Sequence, residues 1–385
     1  MISTWSFPNR IIFGAGALGQ LAQSVKGLAI SRPLVVTDPG VAACGLLDRV
    51  TGPLKTAGLE CAVFDRVEGN PTEASVYPGV EIYRGQHCDG VVALGGGSAI
   101  DAAKAIRLKA THDLPLEDYD DLKNGGDLIT SNVPPMVAIP TTAGTGSEVG
   151  RSTVITLKAT GRKTVIFSPH LLPDVAIADP VLTFGLPSHL TAATGMDAMT
   201  HNLEAYLAVG YHPICDAIGL KGVGLVHRNL PLAVRDGKNL EARTGMMAAA
   251  IMGAVAFQKG LGTVHSLAHP LSTVAGMHHG LTNAILLPHV MLFNLPAVRE
   301  RFGDLAVVLG VDTHGMTADS AAQAAIAAIE KLNAEIGIPP RLRDVGVREE
   351  MIPAMVPLAM EDGCRLLNPR PTSREDMEML YRAAF

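Results

Sequence analysis

Aromatic residues are scarce in this chain: one Trp, six Tyr and nine Phe among 385 residues. A core so poor in rings must be filled by aliphatic side chains. Hydrophobic residues reach 48% and charged residues only 18%, the balance of an Ala/Val/Leu/Ile-rich globule of the α/β or α kind. Dense basic blocks are missing too. Lys and Arg total 31 against 37 Asp and Glu, a net charge of −6, so nothing suits a phosphate backbone and nucleic acid is not an expected partner. The five cysteines (Cys44, Cys61, Cys88, Cys215, Cys364) are scattered, odd in number and never arranged as C-x-x-C. That excludes a disulfide framework and a zinc knuckle, and reduced, mostly buried thiols are expected. No run approaches the ~18 uninterrupted apolar residues of a membrane span. "MISTWSFPNR" lacks the charged-then-apolar order of a signal peptide, so a cytoplasmic chain without a membrane partner is the expectation.

The length is ample. Single cores stop growing near ~250–300 residues, so 385 residues suit two domains. From Leu34 to about Asp179, short apolar runs alternate with helical patterns: "LVVT", "CAVF", "VVALG", "MVAIP" and "VAIAD". Continuous apolar runs of this length read as parallel strands buried on both faces, with helical crossovers between them. "STVITL" and "KTVIF", joined by "KATGR", read as a hairpin added at the edge or base of that sheet. After Pro187 the pattern turns helical, with Ser188 a candidate N-cap for "HLTAATGMDAMTHNLEAYLA". The expected fold is therefore an α/β N-terminal dinucleotide-binding domain with a parallel sheet (1–184) and an all-α C-terminal domain (185–385). A cleft between two such domains is a favoured ligand position.

Two loops suit a nucleotide. In "LGGGSAIDAAKA", Gly95, Gly96, Gly97 and Ser98 follow a strand and open a helix, so bare amides and the positive helix end can face an anion. The G-x-G-x-x-G fingerprint is absent, and a tight turn needing positive φ explains the glycines equally well. "PTTAGTGSE" follows "MVAIP" and offers the hydroxyls of Thr141, Thr142 and Ser147. Both loops leave carboxyl ends of parallel strands, where ligands collect. Asp38 in "VVTDPG" suits an acceptor for a ribose 2′-hydroxyl, favouring NAD over NADP; it suits the first residue of an Asp-Pro-Gly turn equally.

Four histidines fall within "GLGTVHSLAHPLSTVAGMHHG": His265, His269, His278 and His279. So much imidazole in apolar sequence demands partners, and one metal ion supplies them economically. Asp197 and His201 in "GMDAMTH" stand four apart, on one face of a helix, and His265 and His269 repeat that spacing. A carboxylate with imidazoles suits Fe(II), Zn(II) or a similar divalent ion. Spacing leaves open which histidines converge, because Pro270 can kink or delay the second helix.

Taken together, "FGAGAL", Asn70-Pro71-Thr72, "GGGSAIDAAKA", "PTTAGTGSE", "GMDAMTH", "GLGTVHSLAHPL" and "HHGLTNAILLPHV" resemble the iron-containing (group III) alcohol dehydrogenase family over nearly the whole chain. The resemblance implies the dehydroquinate synthase-like two-domain fold, with metal ligands Asp197, His201, His265 and His279. It implies a proton-passing role for His269. Cofactor contacts are implied at Asp38, Asn70, Gly96, Gly97, Ser98, Asp101, Thr141, Thr142, Ser147 and Lys163. The implied chemistry is reversible hydride transfer between NAD and a small primary alcohol or aldehyde, with Fe(II), or Zn(II), as Lewis acid. A homo-oligomer, dimer or larger, is expected. The alternative is a dehydroquinate synthase-like NAD- and metal-dependent lyase, which would require basic residues for a polyanionic substrate; few stand near the implied ligands. Arg151 and Lys259 flank the key loops in sequence, and if both point inward they favour an ω-hydroxy acid over a plain alcohol. His278 is assigned no role.

Overall fold

The computed structural model describes residues 5–158 and 161–385. The strands are β1 (Arg10–Phe13), β2 (Pro33–Val36), β3 (Ala62–Phe64), β4 (Gly90–Gly95), β5 (Met136–Pro140), β6 (Ser152–Thr156), β7 (Lys163–Phe167) and β8 (Val175–Ala178). Among them run α1 (Leu21–Gly27), α2 (Pro39–Ala43), α3 (Leu46–Thr56), α4 (Glu73–Gly85) and α5 (Gly97–Thr111). Then come α6 (Ser188–Leu207), α7 (Pro213–Arg235), α8 (Leu240–Ala256), α9 (Thr263–Val274), α10 (His279–Val308), α11 (Ala318–Glu335), α12 (Ile352–Glu361) and α13 (Arg374–Ala384).

Six strands form one parallel sheet in the order β1-β8-β5-β4-β2-β3. The apolar runs of β2, β4, β5 and β8 are buried throughout. The two-residue period of a strand explains why both faces must be apolar. Leu34, Val36, Val91 and Ala93 pack with Val76, Val80 and Ile106 of α4 and α5, while Val35, Val92 and Leu94 pack with Leu21, Val25, Val50 and Leu54 of α1 and α3. Each of the Val, Leu and Ile side chains contributes about 1.5–3 kcal/mol on burial. The chain leaves β2 for β3 on one side and returns to β4 on the other. The carboxyl ends of β2 and β4 thus flank the point where strand order reverses, the usual ligand position in an open α/β sheet.

Three expectations need correction. The short edge strand β1 is absent from the sequence reading, since its four residues, Arg10–Phe13, carry little periodicity. The hairpin β6–β7 is real and antiparallel but forms its own two-stranded sheet rather than extending the main one. It is tied to α5 instead: Thr153 Oγ1 donates to the Asp101 carbonyl (2.8 Å) and Val154 N to Asp101 Oδ2 (3.1 Å). Its "KATGR" turn includes residues 159 and 160, which lie outside the described residues. Finally, Ser188 is the first residue of α6, and Pro187, whose ring fixes φ at −54°, holds the N-cap position.

The chain divides into two compact units. One comprises Phe7–Thr142 with Gly146–Gly185; the other comprises Leu186–Phe385 with Ala143–Thr145 and, of the described N-terminal residues, Trp5 and Ser6. In the helical unit, α6 is buried around nearly its whole circumference, as a central helix must be. The stretch Leu240–Lys259 and helix α10 are long and apolar enough by length and composition to cross a membrane. The most apolar 18-residue window of each is 56% and 61% buried, however, and packing within the fold accounts for their composition. Helix α9 runs through Pro270 without a break.

Candidate functional site

The four-residue step from Asp197 to His201 on α6 places both on one face, and α9 and the start of α10 bring His265 and His279 to it. Asp197 Oδ1 lies 3.7 Å from His201 Nε2, 3.9 Å from His265 Nε2 and 3.6 Å from His279 Nε2. These separations exceed hydrogen-bond length. They match what an ion imposes: two ligand atoms each ~2.1 Å from a tetrahedral metal stand about 3.4 Å apart. Asp197, His265 and His279 offer ligand atoms all within 4.8 Å of one another. His201 joins them through Asp197 and by stacking on the His265 ring, centroids 4.8 Å apart and planes at 15°.

The electrostatics fit a cation. His265 Nε2 is buried with no hydrogen-bond partner, a costly state for a polar atom unless a ligand satisfies it. Burial, opposed by Asp197, lowers the His201 pKa and keeps its ring in the neutral form that metals take. Burial acts likewise on His265, but Glu204 outweighs it and raises the pKa. Three partners escaped the sequence reading. Glu204 Oε2 is 2.6 Å from His265 Nδ1, Asn283 Nδ2 donates to Asp197 Oδ1 (2.8 Å), and Asp362 Oδ2 is 2.7 Å from His269 Nδ1. Two were detectable: Glu204 follows His201 by three residues and Asn283 follows His279 by four, both helical neighbours. Asp362 had no local signal. His278 occupies the N-cap position of α10.

In the α/β unit a second group of residues gathers at the start of α5. Gly95 has φ +151°, and a Cβ there would stand 3.2 Å from Asp38 Oδ2, so this turn requires glycine. A Cβ on Gly96, the N-cap residue, would stand 3.2 Å from Thr142 Cγ2. Ser98 Oγ accepts from Asn70 N (3.3 Å), and Thr141 N donates to the Gly95 carbonyl (3.0 Å). Asp38 fulfils its turn reading, with Oδ1 capping α2 by accepting from Val41 N (2.9 Å); its other oxygen borders the glycine turn. Gly97 opens the helix, so this end carries the partial positive charge that attracts phosphates.

Asp101 and Ser147 are turned to each other. Ser147 Oγ donates to Asp101 Oδ1 (2.6 Å), and the buried Lys104 Nζ donates to the same hydroxyl (3.0 Å) and to the carbonyls of Ser147, Gly150 and Ser152. These two residues hold the loop together. Lys163 opens β7, and its charge acts on Asp101.

The two cations that flank the loops in sequence each have a partner within the fold. Lys259 is buried, with Nζ donating to the Tyr206 carbonyl (3.0 Å) and Asp216 Oδ1 (2.5 Å), while Arg301 reaches the same carbonyl (2.6 Å) and Asp216 Oδ2 (3.1 Å). The Arg151 guanidinium lies over the Phe167 ring, 5.0 Å from its centroid.

A glycine-turn cradle on a parallel sheet and a helical unit with one carboxylate among three imidazoles define a metal-type dehydrogenase. Comparison with known proteins agrees. Residues 8–180 match the iron-containing alcohol dehydrogenase family, and residues 191–385 match the C-terminal domain of the same family. The 1,3-propanediol dehydrogenase of Citrobacter freundii is 43% identical over 381 residues, 98% of this chain and 97% of that protein. The 4-hydroxybutyrate dehydrogenase of Cupriavidus necator is 43% identical over 366 residues, 94% of each chain. A crystal structure of 1,3-propanediol oxidoreductase superposes over the whole of both chains with TM-score 0.96 at 41% identity. This chain belongs to the iron-containing alcohol dehydrogenase family, and it is an alcohol dehydrogenase of that type.

Proposed function

We propose that this enzyme catalyses reversible, NAD-linked hydride transfer between a short primary alcohol and its aldehyde, with a divalent ion, Fe(II) or alternatively Zn(II), held by Asp197, His201, His265 and His279. The observation that carries this reading is the approach of three imidazole Nε2 atoms to Asp197 Oδ1 at 3.6–3.9 Å, too far for hydrogen bonds and right for shared ligation. When bound, the ion supplies Lewis acidity and NAD supplies the hydride acceptor.

The chain's own residues do the rest. The amides of Gly96 and Gly97 and the Ser98 hydroxyl bind pyrophosphate at the α5 N-terminus, while Asn70, Thr141 and Thr142 flank it. Asp38 accepts from the adenosine ribose and repels a 2′-phosphate. Asp101, Ser147 and Lys163 shape the nicotinamide side of the loop. His269 exchanges the alcohol proton: with Nδ1–H donating to Asp362, its Nε2 is the atom that takes and returns protons. A plain alcohol or diol is favoured over an ω-hydroxy acid because Lys259 is already paired with Asp216. Family membership weighs against the lyase alternative.

The test strips metal with a chelator, reloads Fe(II) or Zn(II), and follows NADH absorbance with ethanol, 1-butanol, 1,3-propanediol and 4-hydroxybutyrate. Alcohol-dependent NADH formation is expected with reloaded enzyme only. His265→Ala and His279→Ala are expected to fold, lose metal and lose turnover. Full metal occupancy in both variants would overturn the ligand assignment.

A further inference from the structure

Glu204 stands on the same face of α6 as Asp197 and His201, seven and three residues after them, and it is 4% exposed. Its two oxygens are both engaged by α9. Oε1 accepts from the backbone N–H of Val264 (2.7 Å), and Oε2 faces His265 Nδ1 (2.6 Å). The neighbouring Thr263 N donates to Asn368 Oδ1 (3.2 Å), and Asn368 is itself locked in a reciprocal amide pair with Asn294 at 3.0 and 2.7 Å. The chain approaches these acceptors closely: a Cβ on Gly262 would lie 2.8 Å from both Glu204 Oε1 and Asn368 Oδ1. One buried carboxylate therefore fixes both the first turn of α9 and the ring that this turn carries.

A neutral imidazole has one N–H, and the nitrogen that carries it cannot also donate a lone pair to a metal. A carboxylate 2.6 Å from Nδ1 demands the proton there and leaves Nε2 bare, aimed at Asp197 Oδ1 3.9 Å away. We propose that Glu204 is a positioning residue that selects the Nδ1–H tautomer of His265, so that Nε2 is ready for the ion before the ion arrives. This inference rests on the metal-site reading above.

Glu204→Gln separates tautomer selection from simple helix capping. Its amide oxygen still accepts from Val264 N, so a purely structural role survives. Its NH2 now faces His265 Nδ1 as a donor, which forces the ring proton onto Nε2. Chelator-stripped wild type, Glu204→Gln and His265→Ala are titrated with Zn(II) against a chromophoric chelator, and the melting of each apo-protein is followed by circular dichroism. Glu204→Gln is expected to melt like wild type and bind Zn(II) about 10–100-fold more weakly. Zn(II) affinity equal to wild type would overturn the proposal.

A second measurement does not depend on the variant folding or on metal. The 15N spectrum of histidine-labelled wild-type apo-protein at pH 8.5, assigned by loss of a signal in His265→Ala, is expected to show His265 protonated at Nδ1 and bare at Nε2. The opposite tautomer would overturn the proposal. Wild type that fails to bind Zn(II) would instead overturn the metal-site reading, leaving the 15N result to decide the role of Glu204.

Discussion

His269 Nδ1 stands 2.7 Å from Asp362 Oδ2, and the His269 ring stacks on that of His279 with centroids 5.2 Å apart and planes at 14°. Burial by itself would push the Asp362 carboxyl up. His269, the Cys364 amide and the Ser266 hydroxyl outweigh it and hold the group well below the usual carboxylate range. Asp362 is therefore ionised at any working pH, and it orients His269 as a permanent acceptor. His269→Ala is expected to retain metal while kcat falls at least 100-fold, the scale of a lost general acid–base group. Metal content and kcat measured on the same preparation check this. Loss of the ion would make His269 a ligand instead.

Much of this organisation was legible beforehand, for definite reasons. Strands β2, β4, β5 and β8 are buried on both faces, so their apolar runs are continuous and easily seen. Asp197 and His201 were visible as a pair because a helix repeats every 3.6 residues, so a four-residue step returns to the same face. Asp362 was invisible, since its contact with His269 spans 93 residues and depends on how distant helices meet. Lys259 was ambiguous for a related reason. Its place beside "GLGTVH" left open both an inward-facing cation and one paired with an acid, and its partner, Asp216, is 43 residues away.

Asp38 performs a local task and borders the cradle, and substitution is expected to separate the two. Asp38→Gly removes the side-chain acceptor for Val41 N but leaves a residue tolerated at an N-cap, so the stability loss is only a few tenths of a kcal/mol. The same change removes the negative charge next to Gly95. NADP use is expected to rise relative to NAD, read as the ratio of kcat/KM values. A wild type indifferent to the 2′-phosphate would show that Asp38 does not face the ribose.

Lys259 is expected to matter for stability and not for substrate choice. Asp216 receives both Lys259 and Arg301, and Lys259 also satisfies the Tyr206 carbonyl near the C-terminus of α6. Lys259→Met leaves that carbonyl with one cation fewer and weakens a buried pair, at a cost of about 2–4 kcal/mol. The kcat/KM ratio for 4-hydroxybutyrate over 1-butanol should stay unchanged while the melting temperature drops. A selective loss on the hydroxy acid would restore Lys259 as a substrate contact.

The loop that follows Thr142 carries a pH dependence set by two buried groups of opposite sense, Glu148 and Lys104. Burial pushes the Glu148 carboxyl up to about 7, against the backbone N–H and Lys104, which favour its ionised form. Between the ordinary value of 4.5 and about 7, the folded chain holds a proton that the unfolded chain has released, so stability falls as pH rises through this window. The full effect is roughly 3 kcal/mol at most, complete by about pH 8. Lys104 behaves in the opposite sense. Burial, opposed by Asp101 and Glu148, lowers it to about 8, so it favours folding fully only above its ordinary 10.5, and that contribution is lost as pH falls through about 8. Wild type should therefore be least stable around pH 7–8 on account of this pair. Glu148→Gln removes the titrating group and keeps the volume, so it is expected to flatten the melting temperature between pH 5 and 7.5 while leaving the rise above pH 8 in place. Thermal melts of both proteins across pH 5–10 provide the check, and equal slopes below pH 7.5 would show that the Glu148 carboxyl is ionised throughout.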